Sequence, residues 1–329
     1  MRIVSLLPSA TETLLAITGS GALRPGAPVQ LVGRSHECDF PPPILDAEIP
    51  VVTRARTAFV SSAQVDADVR AQLATGTSLY ELDETLLEAL KPDLIITQDL
   101  CRVCSIDLAA VRRAAARLSR PPKILSLNPH TFEAVLDDVL RIGEFIGMER
   151  PATDLLVSLR GRAHAAEDYV GAFAPRISVA FIEWTDPLFV AGHWTPQLIE
   201  RAGGEHPLNP THAIPSAGAA QGPVGQSQRT AGPSITITPD ALAASLPQVL
   251  IISPCGLSLD QALHEARLLA QAPWFKLLPA ARAGQVYAVD GNQMFSRPGP
   301  RLVDALEFLV GVLTQRPDVI PANFPARRL

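Results

Sequence analysis

Short apolar runs rich in β-branched residues alternate along this chain with segments of helical period. In the first half the runs fall at residues 3–7, 29–33, 51–53, 94–97 and 124–127. Between them, residues 10–18, 85–90 and 108–118 repeat their apolar positions every three to four residues. Nearly continuous apolar strands separated by helices predict a parallel sheet covered on both faces. The second half repeats the theme with strands at 177–182, 249–253 and 286–289 and closes on a helix over 301–313.

Between the halves the pattern is helical throughout. Phe132, Val135, Leu136, Val139, Ile142, Phe145 and Ile146 form one apolar stripe, with Thr131 placed to cap it. After Gly147 and Pro151 a second helix is predicted over 152–169, with Leu155, Leu156 and Leu159 along one side. The chain thus divides into an N-terminal α/β lobe (1–130), connecting helices (131–172) and a C-terminal α/β lobe (173–329). Residues 205–233 break the pattern: five prolines, four glycines and a single Leu predict a mobile surface insertion or a lid over a site.

Composition narrows the function classes. The 329 residues are 47% hydrophobic and 19% charged, which excludes disorder and a disulfide-stapled miniprotein. A formal net charge of −5 offers no basic stripe for phosphate backbones, so no nucleic-acid partner is expected. Nor does any segment reach the roughly 18 uninterrupted apolar residues of a membrane span, so no membrane insertion is expected. Residues 2–7 already read as a buried strand, which leaves no room for a secretory signal. As written the chain is expected to be cytoplasmic with reduced cysteines, or periplasmic if a true N-terminus precedes it. It is expected to act as a monomer.

The distinctive side chains collect just beyond strand ends, where open α/β sheets bind ligands. His36, Glu37, Cys38 and Phe40 follow the strand ending at Gly33; Gln98, Cys101, Arg102 and Cys104 follow that ending at Thr97. Glu183 and Trp184 follow the strand ending at Ile182, His193 and Trp194 lie a little beyond, and Cys255 follows Ser253. Both halves contribute, so these loops are expected to converge on an inter-lobe cleft. Trp184 and Trp194 suit stacking on a large flat ligand. His36 and His193 can approach a metal, although a hydrogen-bonding structural role competes for each. Cys101-x-x-Cys104 serves zinc sites, redox pairs and plain structure alike. A metal site would combine it with Cys38 and Cys255, and the bland alternative is a set of small buried thiols. No nucleophile elbow, Walker loop or dinucleotide fingerprint stands in the required context, and no catalytic residue is expected.

Several longer segments carry a family resemblance. They are Arg2-Ile3-Val4-Ser5-Leu6-Leu7-Pro8-Ser9-Ala10-Thr11-Glu12, Cys38-Asp39-Phe40-Pro41-Pro42, Leu90-Lys91-Pro92-Asp93-Leu94-Ile95-Ile96, Asp186-Pro187-Leu188-Phe189-Val190-Ala191-Gly192 and Glu200-Arg201-Ala202-Gly203-Gly204. The sequence resembles the helical-backbone (cluster A, class III) substrate-binding proteins of ABC transporters, in particular the cobalamin-binding branch. The resemblance implies an α/β fold of two Rossmann-like lobes with mainly parallel sheets, joined by one long backbone helix. It implies a non-enzymatic protein that holds cobalamin or a related metal-containing tetrapyrrole and needs no cofactor of its own. Trp184 and Phe40 fall where such binders place ring-lining aromatics, whereas Gln98, Glu37 and Cys38 depart from that pattern. The resemblance also implies a permease partner docked by one surface Glu per lobe: Glu200 in the second, with Thr85 at the matching first-lobe position and Glu84 beside it. Alternatives of the same fold are a zinc or iron–sulfur site, possibly catalytic, and a ferric siderophore held by Arg54, Arg56 and Arg102.

Overall fold

The computed structural model describes residues 1–75, 78–100, 106–214 and 229–329. Its first compact unit comprises 1–129 and 136–158, its second 130–135 and 159–329.

In the first unit β1 (Arg2–Ser5), α1 (Pro8–Ile17), β2 (Gln30–Arg34), α2 (Pro43–Asp46), β3 (Thr53–Ala55), α3 (Ser62–Ala74), β4 (Tyr80–Leu82), α4 (Glu84–Leu90), β5 (Leu94–Thr97), α5 (Leu108–Arg117) and β6 (Lys123–Ser126) follow in order. The sheet runs β2-β1-β5-β6, all parallel. The central strands are buried on both faces, β5 throughout and β1 at all but its first residue, Arg2, which is why the buried positions are Ile, Val and Leu with a single hydroxyl each. Val4, Leu6, Val32, Ile95, Val111 and Ala115 pack into one core beneath them.

One expected strand is placed differently. The 51–53 run does not extend the parallel sheet; Val51 makes a single bridge to Arg34, and β3 pairs antiparallel with β4. Two of the three β3 residues are exposed and one is Arg54, so the segment cannot be covered on both faces.

The connecting segment holds two helices, α6 (Phe132–Ile146) and the 19-residue α7 (Glu149–Glu167). Gly147 ends α6 in the left-handed region, at φ +69°, and Pro151 occupies the first turn of α7, where a missing N–H costs nothing.

The second unit continues with β7 (Ile177–Thr185), β8 (Leu188–Val190), α8 (Thr195–Arg201), β9 (Gly204–Glu205), β10 (His212–Ala213), β11 (Arg229–Thr230), β12 (Ile235–Thr236), α9 (Pro239–Ala244), β13 (Val249–Ile252), α10 (Leu259–Leu269), α11 (Pro279–Arg282), β14 (Val286–Val289), α12 (Leu302–Leu313) and β15 (Ala326–Arg328). Its sheet runs β12-β8-β7-β13-β14-β15, with β9 paired to the start of β7. The β7-β13-β14 centre is parallel, and the flanking β8, β12 and β15 are antiparallel. Mixed α/β architecture with parallel centres is therefore present in both units. Among the described residues, no helix is long and apolar enough to cross a membrane.

Both described ends of the Pro/Gly-rich segment are held by side-chain hydrogen bonds. His206 is buried with Nδ1 2.9 Å from the Val179 carbonyl, and Asn209 donates to the Ala191 and Pro233 carbonyls, each at 3.0 Å. Backbone carbonyls left by the irregular chain thus find side-chain donors. Residues 215–228 lie outside the described residues.

Candidate functional site

In the first unit the loop after β2 carries His36. Its backbone N–H donates to Thr53 Oγ1 at 3.1 Å, and its ring Nδ1 lies 2.8 Å from the same oxygen. The Thr53 hydroxyl donates to Ser35 Oγ at 3.1 Å, and the Glu37 N–H reaches that Ser oxygen at 3.3 Å. The His36 ring tilts against Tyr80, with centroids 5.8 Å apart. Burial lowers the His36 pKa and so favours a neutral imidazole. Thr53 and Tyr80 also line a groove of about 710 Å³, together with Arg54, Arg56, Glu81 and Asp83.

Beside this group Cys38 is 1% exposed, its Sγ 3.0 Å from Thr11 Oγ1 and its carbonyl accepting from Arg34 Nη1 at 2.8 Å. Gln98, at the end of β5, is also buried. Phe40 is half-buried.

In the second unit β7 runs past Ile182 to Thr185, so Glu183 and Trp184 belong to the strand and not to a loop after it. The β7–β8 register shifts between Ile182 and Trp184, and the extra residue is Glu183. Its carboxylate accepts from the Ser234 hydroxyl, and its carbonyl accepts from the Cys255 N–H at 3.0 Å. Trp184 donates Nε1–H to the Asp186 carbonyl at 3.1 Å.

His193 follows β8 with φ +54°, a left-handed conformation that aims its side chain away from the extended path. Its backbone N–H donates to the Gly232 carbonyl at 2.9 Å. Its ring faces His130, with centroids 6.4 Å apart and planes at 30°, and tilts against Trp194 at 5.7 Å. Burial, and secondarily the charge that His130 would carry, lower the His193 pKa. His130 escaped the sequence reading because it lies 63 positions away, between Pro129 and Thr131, with no local signal.

No protein-family model matches the chain, and no curated protein matches it. Solved structures do. A periplasmic heme-binding protein from Pseudomonas aeruginosa superposes with a TM-score of 0.66 at 21% identity, covering 96% of this chain and 93% of its own. The periplasmic vitamin B12 binding protein BtuF of Vibrio cholerae gives 0.63 at 19%, over 96% and 98%. The periplasmic heme-binding protein HutB of the same organism gives 0.66 at 18%, over 95% and 98%. The chain has the fold of the periplasmic substrate-binding proteins.

Within this substrate-binding-protein fold, one expectation needs correction. Trp194 is not a stacking surface. It is 6% exposed, caps α8 and donates Nε1–H to the Phe295 carbonyl at 2.7 Å, so its indole is spent on the core. The Glu200 carboxylate is engaged within its own unit. It accepts from the Thr211 hydroxyl at 2.6 Å and from the Thr211 N–H at 3.3 Å, with Arg229 Nε 3.4 Å away. The strand–helix junction that puts Glu200 at the end of α8 brings it under the 211 and 229 strands, a pairing invisible in local sequence. Arg54 and Arg56 both ion-pair with Glu81.

The four-cysteine metal set is not assembled by the described residues. Among them no three His, Cys, Asp or Glu side chains come together as an ion site. Cys38 belongs to the first unit and Cys255 to the second; Cys101, Cys104 and Arg102 lie outside the described residues.

Proposed function

We propose that this chain is a non-enzymatic binding protein for a metal-containing tetrapyrrole, haem or a cobalamin, serving as the substrate-binding component of an ABC uptake system. The observation that carries the reading is His36 of the first unit, a half-buried imidazole tilted against the Tyr80 ring and biased toward its neutral form. Neutral imidazole nitrogen is an axial ligand that iron and other transition metals accept. Tyr80 beside His36 supplies aromatic surface of the kind a flat macrocycle needs. The heme- and B12-binding proteins of the same fold support this ligand class, and by likeness to them we place the protein's action in the periplasm.

Titration of the purified chain with hemin and with aquocobalamin, read by absorption and by calorimetry, tests the proposal. Saturable one-to-one binding with a displaced visible or Soret band is expected for at least one of them. The absence of both heat and spectral change with either compound, in oxidised and reduced states, overturns it.

A further inference from the structure

Two hydroxyls decide which nitrogen of His36 carries its proton. The Thr53 hydroxyl hydrogen is given to Ser35 Oγ. With that hydrogen spent, Thr53 Oγ1 can only accept, and the His36 backbone N–H occupies one of its two lone pairs. The ring Nδ1, 2.8 Å away, must approach the other lone pair as a donor. A neutral ring has one N–H, so Nε2 is left with its lone pair. Among the described residues Nε2 has no hydrogen-bond partner, and the ring is half-buried against Tyr80, which with Thr53 lines the groove.

Metal-ligating histidines have this arrangement: one nitrogen binds the metal while the other donates to an outer acceptor that holds tautomer and ring plane. Two other histidines, His206 and His193, lack one half of it. His206 has its Nδ1 on the Val179 carbonyl, but the ring is 1% exposed and Nε2 is sealed in the core. His164 pairs with Glu167 on an exposed helix face. His193 meets rings, not an acceptor oxygen.

We propose that Ser35 and Thr53 are positioning residues that preset His36 Nε2 as the axial ligand for the metal of the bound tetrapyrrole. The inference rests on the reading of the preceding subsection and adds to it the ligating atom and the relay that prepares it.

The first test needs no ligand: imidazole 15N spectra of the ligand-free chain. His36 is expected as the Nδ1–H tautomer in the wild type and in Thr53→Ser, which keeps the hydroxyl. In Thr53→Val, which cannot accept, that tautomer is expected to be lost. Hemin and aquocobalamin are then titrated into each variant whose circular dichroism matches the wild type. His36→Ala is expected to lose the ligand-field band of the bound metal. Thr53→Val is expected to bind about 10- to 100-fold more weakly, with Thr53→Ser restoring affinity. An Nε2–H tautomer in the ligand-free wild type, or a bound spectrum unchanged in His36→Ala, overturns the proposal. If the wild type binds neither compound while the Nδ1–H tautomer is present, it is the tetrapyrrole reading that fails, and the ligation falls with it.

Discussion

Trp194 Nε1 lies 2.7 Å from the carbonyl oxygen of Phe295, a residue 101 positions further along the chain with φ +63°. The bond joins the start of α8 to the loop before α12, and the Phe295 ring packs edge-on against Phe181 of β7 at 4.7 Å. An indole that looked like ligand-stacking surface is thus a fastener between three elements.

Trp194→Phe keeps most of the apolar volume but leaves the Phe295 carbonyl without its donor inside the core. A buried unsatisfied acceptor costs about 1–3 kcal/mol. Urea unfolding is expected to show a loss of that size, while tetrapyrrole affinity moves by less than about threefold. A selective loss of affinity with unchanged stability would return Trp194 to the ligand site.

Two buried titratable groups give the units opposite responses to acid. His206, in the second unit, has its pKa lowered from 6.5 to about 4, chiefly by burial, with its backbone hydrogen bonds opposing. The unfolded chain therefore takes up the proton first. The stability from the neutral ring is present above 6.5 and is lost as pH falls toward 4, by up to about 3 kcal/mol at 1.36 kcal/mol per pH unit. His206→Gln is expected to flatten the acid limb of stability against pH in that window, measured by denaturant midpoints between pH 4 and 7.

Asp138, in the first unit, runs the other way. Burial raises its carboxyl from 3.8 to about 6 against the opposing Arg141 hydrogen bond, and its Oδ2 has no partner. A raised carboxyl pKa makes the protonated form the stabilising one. Its contribution is complete below 3.8 and lost as pH rises through about 6. Asp138→Asn keeps an oxygen for Arg141 and carries no charge. Relative to wild type it is expected to gain about 1–3 kcal/mol at pH 7.5 and nothing near pH 4.

Glu200→Ala removes the acceptor for Thr211 and the partner of Arg229, both half-buried or buried. We expect a lower Tm and faster proteolysis of the 205–233 segment. A variant of unchanged Tm that fails only in permease-dependent uptake would instead support the docking role.

Gly291 marks a close approach that no other residue allows. A Cβ there would lie 1.9 Å from the Pro254 carbonyl oxygen, in the turn that presents Cys255. Gly291→Ala is expected to destabilise by about 3 kcal/mol or more, since backbone and not a flexible side chain would have to move. Thermal unfolding of the variant checks this.

The strands at 94–97 and 286–289 and the helices over α1, α4, α5, α6 and α12 were legible because their periods are local properties of the chain. The two-part α/β plan follows from those same periods, and so does the placing of His36, Gln98 and Cys255 at strand ends. What periodicity could not show is partner choice. Nothing in the 51–53 run announces that it turns from the main sheet to pair with Tyr80–Leu82, because a short half-exposed strand carries too few buried positions to specify a neighbour. Trp194 was misread for the same reason: a side chain's role depends on which distant carbonyl or hydroxyl comes within 3 Å of it, and that distance is set by folding. The sequence alone determined the class of fold and the loops that carry chemistry. Only the tertiary structure decided that Thr53 accepts from His36 and that His130 faces His193, because hydrogen bonds and ring contacts act over a few ångströms between residues 17 and 63 positions apart.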